Sequence, residues 1–263
     1  MLRHLLRLAS LLALALPSAT LRAPGAPPRL RPNELQSTAR PAVLGRLAVV
    51  GATVGPLVDA VHNQALLSYD VLPLAIGPVT TSAPIPLLLG LTYALLGGAI
   101  PAALDGLAPA TSKPLFPPLL GLRPGSSALA AVGTTVAIIK ASELLELSHV
   151  AGATGLLYLA CALQWALIDA TPGSVAFALI VSIGGPLAEL PFTWLGLWHY
   201  LPPVQDYWPL SAFGADAASG RAWAGLAHIT APCYFAVTTD AIALGRWFAS
   251  TACEQETPSA GTE

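Results

Sequence analysis

The sequence predicts an all-α polytopic membrane protein, a compact bundle of six transmembrane helices, and three observations carry that prediction. Charged residues make up 10% of the chain, against roughly 25% in soluble globular domains. Hydrophobic residues reach 54%, with a mean hydropathy of +0.66. The apolar residues also fall into six separate runs. So few charges could not cover the outside of a soluble domain of this length. A membrane barrel would need period-two alternation, which the runs lack. Helices remain, because in hydrocarbon only helices and closed barrels satisfy every backbone group.

Residues 1–46 are read apart from the fold. They hold seven arginines (Arg3, Arg7, Arg22, Arg29, Arg31, Arg40, Arg46) and one acid, Glu34, so they carry +6 against −8 for the remainder. The basic start, an apolar run "LLALALP" too short to span, and a Pro-, Arg- and Ser-containing stretch form a leader. It resembles the bipartite leaders that carry proteins into plastids of secondary origin, which points to an algal or other plastid-bearing lineage. A secretory signal and a disordered basic arm are the competing readings.

The bundle occupies 47–248, followed by a polar tail at 249–263. Its apolar segments lie at 47–61, 85–104, 127–142, 150–168, 173–198 and 222–245. The second and fourth match the roughly 20 residues that a span requires; the first extends through Asp59 and His62. The links 105–126 and 199–221 have the Pro, Gly and Ser content of surface loops. Arg40, Arg46, Lys113, Arg123 and Arg246 fall on one side of this arrangement, while Arg221 and Lys140 fall toward the other. The positive-inside rule then places both termini on the cytosolic or stromal side. Glycines within the spans allow the close backbone approach that drives packing in lipid. Breaks are expected at Gly55–Pro56, Pro101, Gly185–Pro186, Pro191 and Pro232.

Acids in such segments are functional candidates by default. "GPLVDAVHN" and "GPLAELPFT" each place an acid, Asp59 and Glu189, three residues after a Gly-Pro break, where a restarted helix would offer amides and a favourable dipole. In "KASELLELSHV", Glu143, Glu146 and His149 recur every three residues and would share a helical face. Glu-x-x-His is the half-site of carboxylate-bridged di-iron bundles, so a metal-dependent membrane enzyme is one alternative function. A proton-coupled transporter using Glu189, Asp240 or Asp169 is another. Cys161, Cys233 and Cys253 lack metal-site spacing. No Walker loop, zincin motif, nucleophile elbow or dinucleotide fingerprint is present, and no basic patch in the body suits nucleic acid. No cofactor or bound metal is called for.

The order of the motifs adds a resemblance. "PAALD", "KASELLEL", "LQWALID", "GLWHYLPP" and "APCYFAVTTDAIALGRWF" together resemble the INSIG (insulin-induced gene) family. Ala141–Ser142 and Leu145–Glu146–Leu147 match its Ala-Ser and Leu-Asp-Phe. Trp165 and Asp169 match Trp-Trp-x-x-Asp, with Gln164 in place of the first tryptophan. Tyr200 and Pro203 match Tyr-x-x-Pro-Asp, Pro232–Cys233 a Pro-Cys pair, and Gly245–Arg246 the closing Gly-Arg.

The resemblance implies a non-enzymatic protein of the endoplasmic reticulum membrane, or of a plastid membrane if the leader governs. It would bind a sterol or diacylglycerol-like lipid in a central pocket and regulate sterol or lipid homeostasis through membrane proteins of the sterol-sensing-domain type. On this reading Ser142, Glu146, Gln164, Trp165, Glu189 and Trp194 line the lipid site, and Asp105, Asp169 and Asp206 face partners. Glu146 replaces a partner-relevant Asp of the family. Val204 replaces another, for which Asp206 could substitute through a shifted loop. Glu189 itself has two readings: it accepts a hydrogen bond from a lipid hydroxyl, or it caps the helix restarted after Pro186.

Overall fold

The computed structural model describes residues 40–76 and 79–256. Residues 1–39 of the expected leader and 257–263 of the expected tail lie outside the described residues, whereas 41–46 already belong to the first helix. The chain is a polytopic helical bundle. Four helices are long and apolar enough to cross a membrane: Pro41–His62, Pro84–Leu107, Pro124–Leu147 and Pro172–Trp194.

The first of these has two parts, α1 (Pro41–Thr53) and α2 (Gly55–Leu66), separated by a single turn residue at Val54. The Gly55–Pro56 step therefore interrupts the span without ending it. Proline at the first helical position suits α1, α3 (Pro84–Ala94), α5 (Pro124–Leu147) and α7 (Pro172–Trp194), because the amide it lacks has no partner there anyway. The second span runs through α3, a π turn at Leu95–Ala99, and α4 (Ile100–Leu107). α6 (Ala153–Ile168) has 16 residues, a length of about 24 Å, short of the roughly 30 Å hydrocarbon core.

α8 (Thr230–Glu256) is the innermost helix. Residues 238–245 are all buried, although they include Thr238, Thr239 and Asp240. Polar side chains within a membrane bundle face its interior rather than lipid, which fits the lower hydrophobicity of α8. It begins at Thr230, eight residues later than expected, because residues 222–229 form a short 3₁₀ turn and an extended stretch.

The link between the first two spans contains three short strands. β1 (Leu67–Tyr69) pairs antiparallel with β4 (Trp198–Tyr200), and β2 (Pro73–Ile76) with β3 (Val79–Ser82). β1–β4 lies at the end of the bundle where α2, α5 and α7 finish. Arg40, Arg46, Lys113, Arg123 and Arg246 lie toward the opposite end, as the charge distribution predicts. There the 108–123 segment folds back over the end of α6, with the Leu115 amide donating to Ala170 O at 2.9 Å.

The expected break in the fifth span does not occur. α7 is continuous through Gly185, Pro186 and Pro191 and ends at Trp194 rather than 198. Gly185 lies against the ring of Tyr234 on α8, where a Cβ would come within 2.4 Å of that ring. Gly185 thus lets α8 approach α7 closely at the point where the two prolines lie inside the helix.

Candidate functional site

The strand-bearing end holds a layer of buried polar side chains that ties four helices together. Glu189 is its best-connected member. Trp198 Nε1 donates to Oε2 at 3.2 Å, the Tyr200 hydroxyl to Oε2 at 2.9 Å, and the Tyr234 hydroxyl to Oε1 at 2.7 Å. Burial, with the Glu189 charge beside it, pushes the Tyr200 phenol well above its ordinary range, so it stays a donor. Because α7 does not restart after Pro186, Glu189 has no helix start to cap. It anchors β4 and α8 to α7 instead. Trp198 and Tyr200, two residues apart on β4, present the same face, and Trp198 stacks on Phe192 at 5.4 Å.

A second group joins α2, α5 and α8. Ser142 Oγ lies 2.8 Å from His62 Nδ1, receives the Cys233 thiol at 3.3 Å, and donates to Ile139 O at 2.8 Å. Beside it on α5, Lys140 and Glu143 form an ion pair. His149 lies beyond the end of α5 with φ 49°, so Glu143, Glu146 and His149 do not share a helical face. Among the described residues no group of three His, Cys, Asp or Glu side chains could hold a metal ion. The di-iron half-site suggested by the spacing therefore does not form.

The remaining candidates occupy different surroundings. Gln164 is buried on α6 and donates through Nε2 to Thr135 Oγ1 at 2.8 Å, Thr134 Oγ1 at 3.0 Å and Ala131 O at 3.1 Å. Trp165 donates to Thr171 O at 2.9 Å and meets Phe116 edge-on. Trp194 is 66% exposed and, with Leu190, Pro191 and Trp223, lines a shallow apolar depression of about 390 Å³. Asp169 is buried against Arg246, Thr171 and Ser174 at the basic end, and Asp105 bonds Ser112. Asp206 accepts from the His228 amide at 2.9 Å and pairs with its ring. Glu146, on the last turn of α5, feels the charges of Asp206, His149 and His228, although Asp206 lies 60 residues further along the sequence.

Tyr234 and His62 were not among the expected site residues. Tyr234 reads in sequence as one more aromatic of an apolar span, and its role depends on Gly185 lying opposite.

The protein comparisons bear on this architecture. No protein-family model matches the chain, and no curated protein matches it. Two crystal structures do. One is the mycobacterial Insig homolog MvINS from Mycobacterium vanbaalenii, 22% identical over 79% of this chain and 94% of that one, with a TM-score of 0.57. The other is a cross-linked MvINS trimer, 22% identical over 80% and 95%, with a TM-score of 0.58. This chain has an Insig-like fold. The likeness covers about four fifths of this chain and nearly all of those structures.

Proposed function

We propose that this chain is a non-enzymatic membrane sensor that binds a sterol or diacylglycerol-like lipid and regulates membrane proteins of lipid homeostasis. The observation that carries the reading is the Insig-like fold, matched over 80% of this chain, together with the motif order that runs from Ser142 to Arg246. The lipid enters between α7 and the 222–224 turn, where Leu190, Pro191, Trp194 and Trp223 offer an apolar wall. Its polar end meets the layer built around Ser142 and Glu189. Glu189 already accepts three hydrogen bonds, so it receives a lipid hydroxyl through its remaining lone pair or by displacing Tyr234. Glu146 and Asp206 form the acidic patch offered to a partner at this end, and Asp105 and Asp169 act at the other. The endoplasmic reticulum is the membrane that the motif resemblance suggests, and a plastid membrane is the one that the leader suggests.

Native mass spectrometry of the full chain in mild detergent, with lipid extraction from the same sample, tests this. One sterol or diacylglycerol-like molecule per chain, depleted in Trp194→Ala at unchanged thermal stability, is expected. A chain that retains no lipid and takes none up from sterol- or diacylglycerol-containing vesicles would refute it.

A further inference from the structure

Deeper in the bundle lies a site that the lipid reading does not use. Asp240, midway along α8, is fully buried, and neither of its carboxylate oxygens has a hydrogen-bond partner. The polar groups that reach it are the hydroxyls of Tyr93 on α3 and Thr135 on α5, close by but outside hydrogen-bond geometry. Thr135 spends its own proton on Ala236 O at 3.1 Å. It also receives Gln164 Nε2 at 2.8 Å, and Gln164 leaves its buried Oε1 without a partner. Three unsatisfied acceptor oxygens thus belong to two side chains that share Thr135 as a neighbour.

No base among the described residues is paired with Asp240, since Lys140 is held by Glu143 and Arg246 by Asp169. The ionisable groups that face this part of α8 are Tyr93 directly and, through Tyr93, Asp59 on α2; α5 and α6 present Thr135 and Gln164. An unpaired carboxylate inside a bilayer protein is costly and calls for a positive partner. A small hard cation takes carboxylate, amide and hydroxyl oxygens as ligands. We propose that Asp240, Gln164, Thr135 and Tyr93 form a buried site for a small cation taken from solvent, either a proton or an alkali ion.

Occupancy of the site bears on the tightest contact of the bundle. Next to Asp240, the Ala241 carbonyl lies where a Cβ on Gly97 would come within 2.3 Å, and Gly245 faces the Gly97 carbonyl at the π turn. A bare charge at Asp240 therefore loosens α8 where it has least room to move.

Thermal unfolding of the full chain in detergent, in sodium, lithium and choline chloride at mildly acidic and mildly alkaline pH, tests the proposal without involving lipid. A proton site gives a Tm that falls by about 3 °C or more on going alkaline in choline chloride. An alkali-ion site gives a similar rise when sodium or lithium replaces choline. Asp240→Asn should abolish whichever response the wild type shows. A wild-type Tm indifferent to pH and cation, or a response that Asp240→Asn retains in full, overturns the proposal. Should that variant not accumulate, Tyr93→Phe is expected to shift the midpoint of the response, and an unshifted midpoint overturns the proposal equally.

Discussion

Glu189 and Asp240 are both buried acids on packed helices, yet their surroundings are opposite. Around Glu189, three donors from two elements other than its own converge on two oxygens. Around Asp240, acceptors outnumber donors, and both oxygens are left over. Burial alone does not tell what an acid does in a membrane protein; the balance of donors and acceptors around it does. A carboxylate with its donors in place holds the scaffold together even where it also meets a ligand, whereas both oxygens of Asp240 lack a partner among the described residues.

The largest effect expected on this contrast comes from Glu189→Ala, which strands the Trp198, Tyr200 and Tyr234 donors in a buried setting. A loss of about 3–5 kcal/mol is expected, visible as aggregation or loss of a monodisperse peak on size exclusion in detergent. Gly245→Ala places a methyl group 1.8 Å from the Gly97 carbonyl, a clash with backbone that costs about 3 kcal/mol; chemical denaturation in mixed micelles reads it. If Gly245→Ala proves harmless, α8 is not locked against the π turn and the coupling drawn for Asp240 weakens. Ser142→Ala leaves His62 and the Cys233 thiol without their shared partner, for about 1–2 kcal/mol, and should speed labelling of Cys233 by a membrane-permeant maleimide. His228→Ala removes a half-exposed ion pair with Asp206 and should change stability by less than about 0.5 kcal/mol in the same denaturation series. A large loss there would mean that the 201–229 segment depends on that pair.

Much of this was legible in the sequence. Low charge and separate apolar runs indicate a polytopic helical bundle, because lipid imposes composition directly. Pro186 and Pro191 misled, since a proline marks a lost donor but not whether a neighbouring helix supports the gap, and the Gly185–Tyr234 contact is a tertiary fact. The spacing of Glu143, Glu146 and His149 assumed that the helix continues, whereas α5 stops at Leu147. Glu189 stood out as an acid in an apolar run, but its donors Trp198 and Tyr200 sit on a three-residue strand whose partner lies near Leu67, too far along the chain for any local pattern to reveal. The cluster around Thr135 was equally hidden, being assembled from α3, α5, α6 and α8.

The position of α8 also bears on how the bundle is built. The helix at its centre follows the other described helices in chain order, so those helices are made before their innermost partner. Until Thr230–Glu256 arrives, Glu189 lacks the Tyr234 donor, Ser142 the Cys233 thiol, and Gly185 the Tyr234 ring against which it packs. The last described helix therefore completes polar contacts that the earlier helices only begin, and its comparatively polar inner face is matched by groups already held in place on α2, α5 and α7.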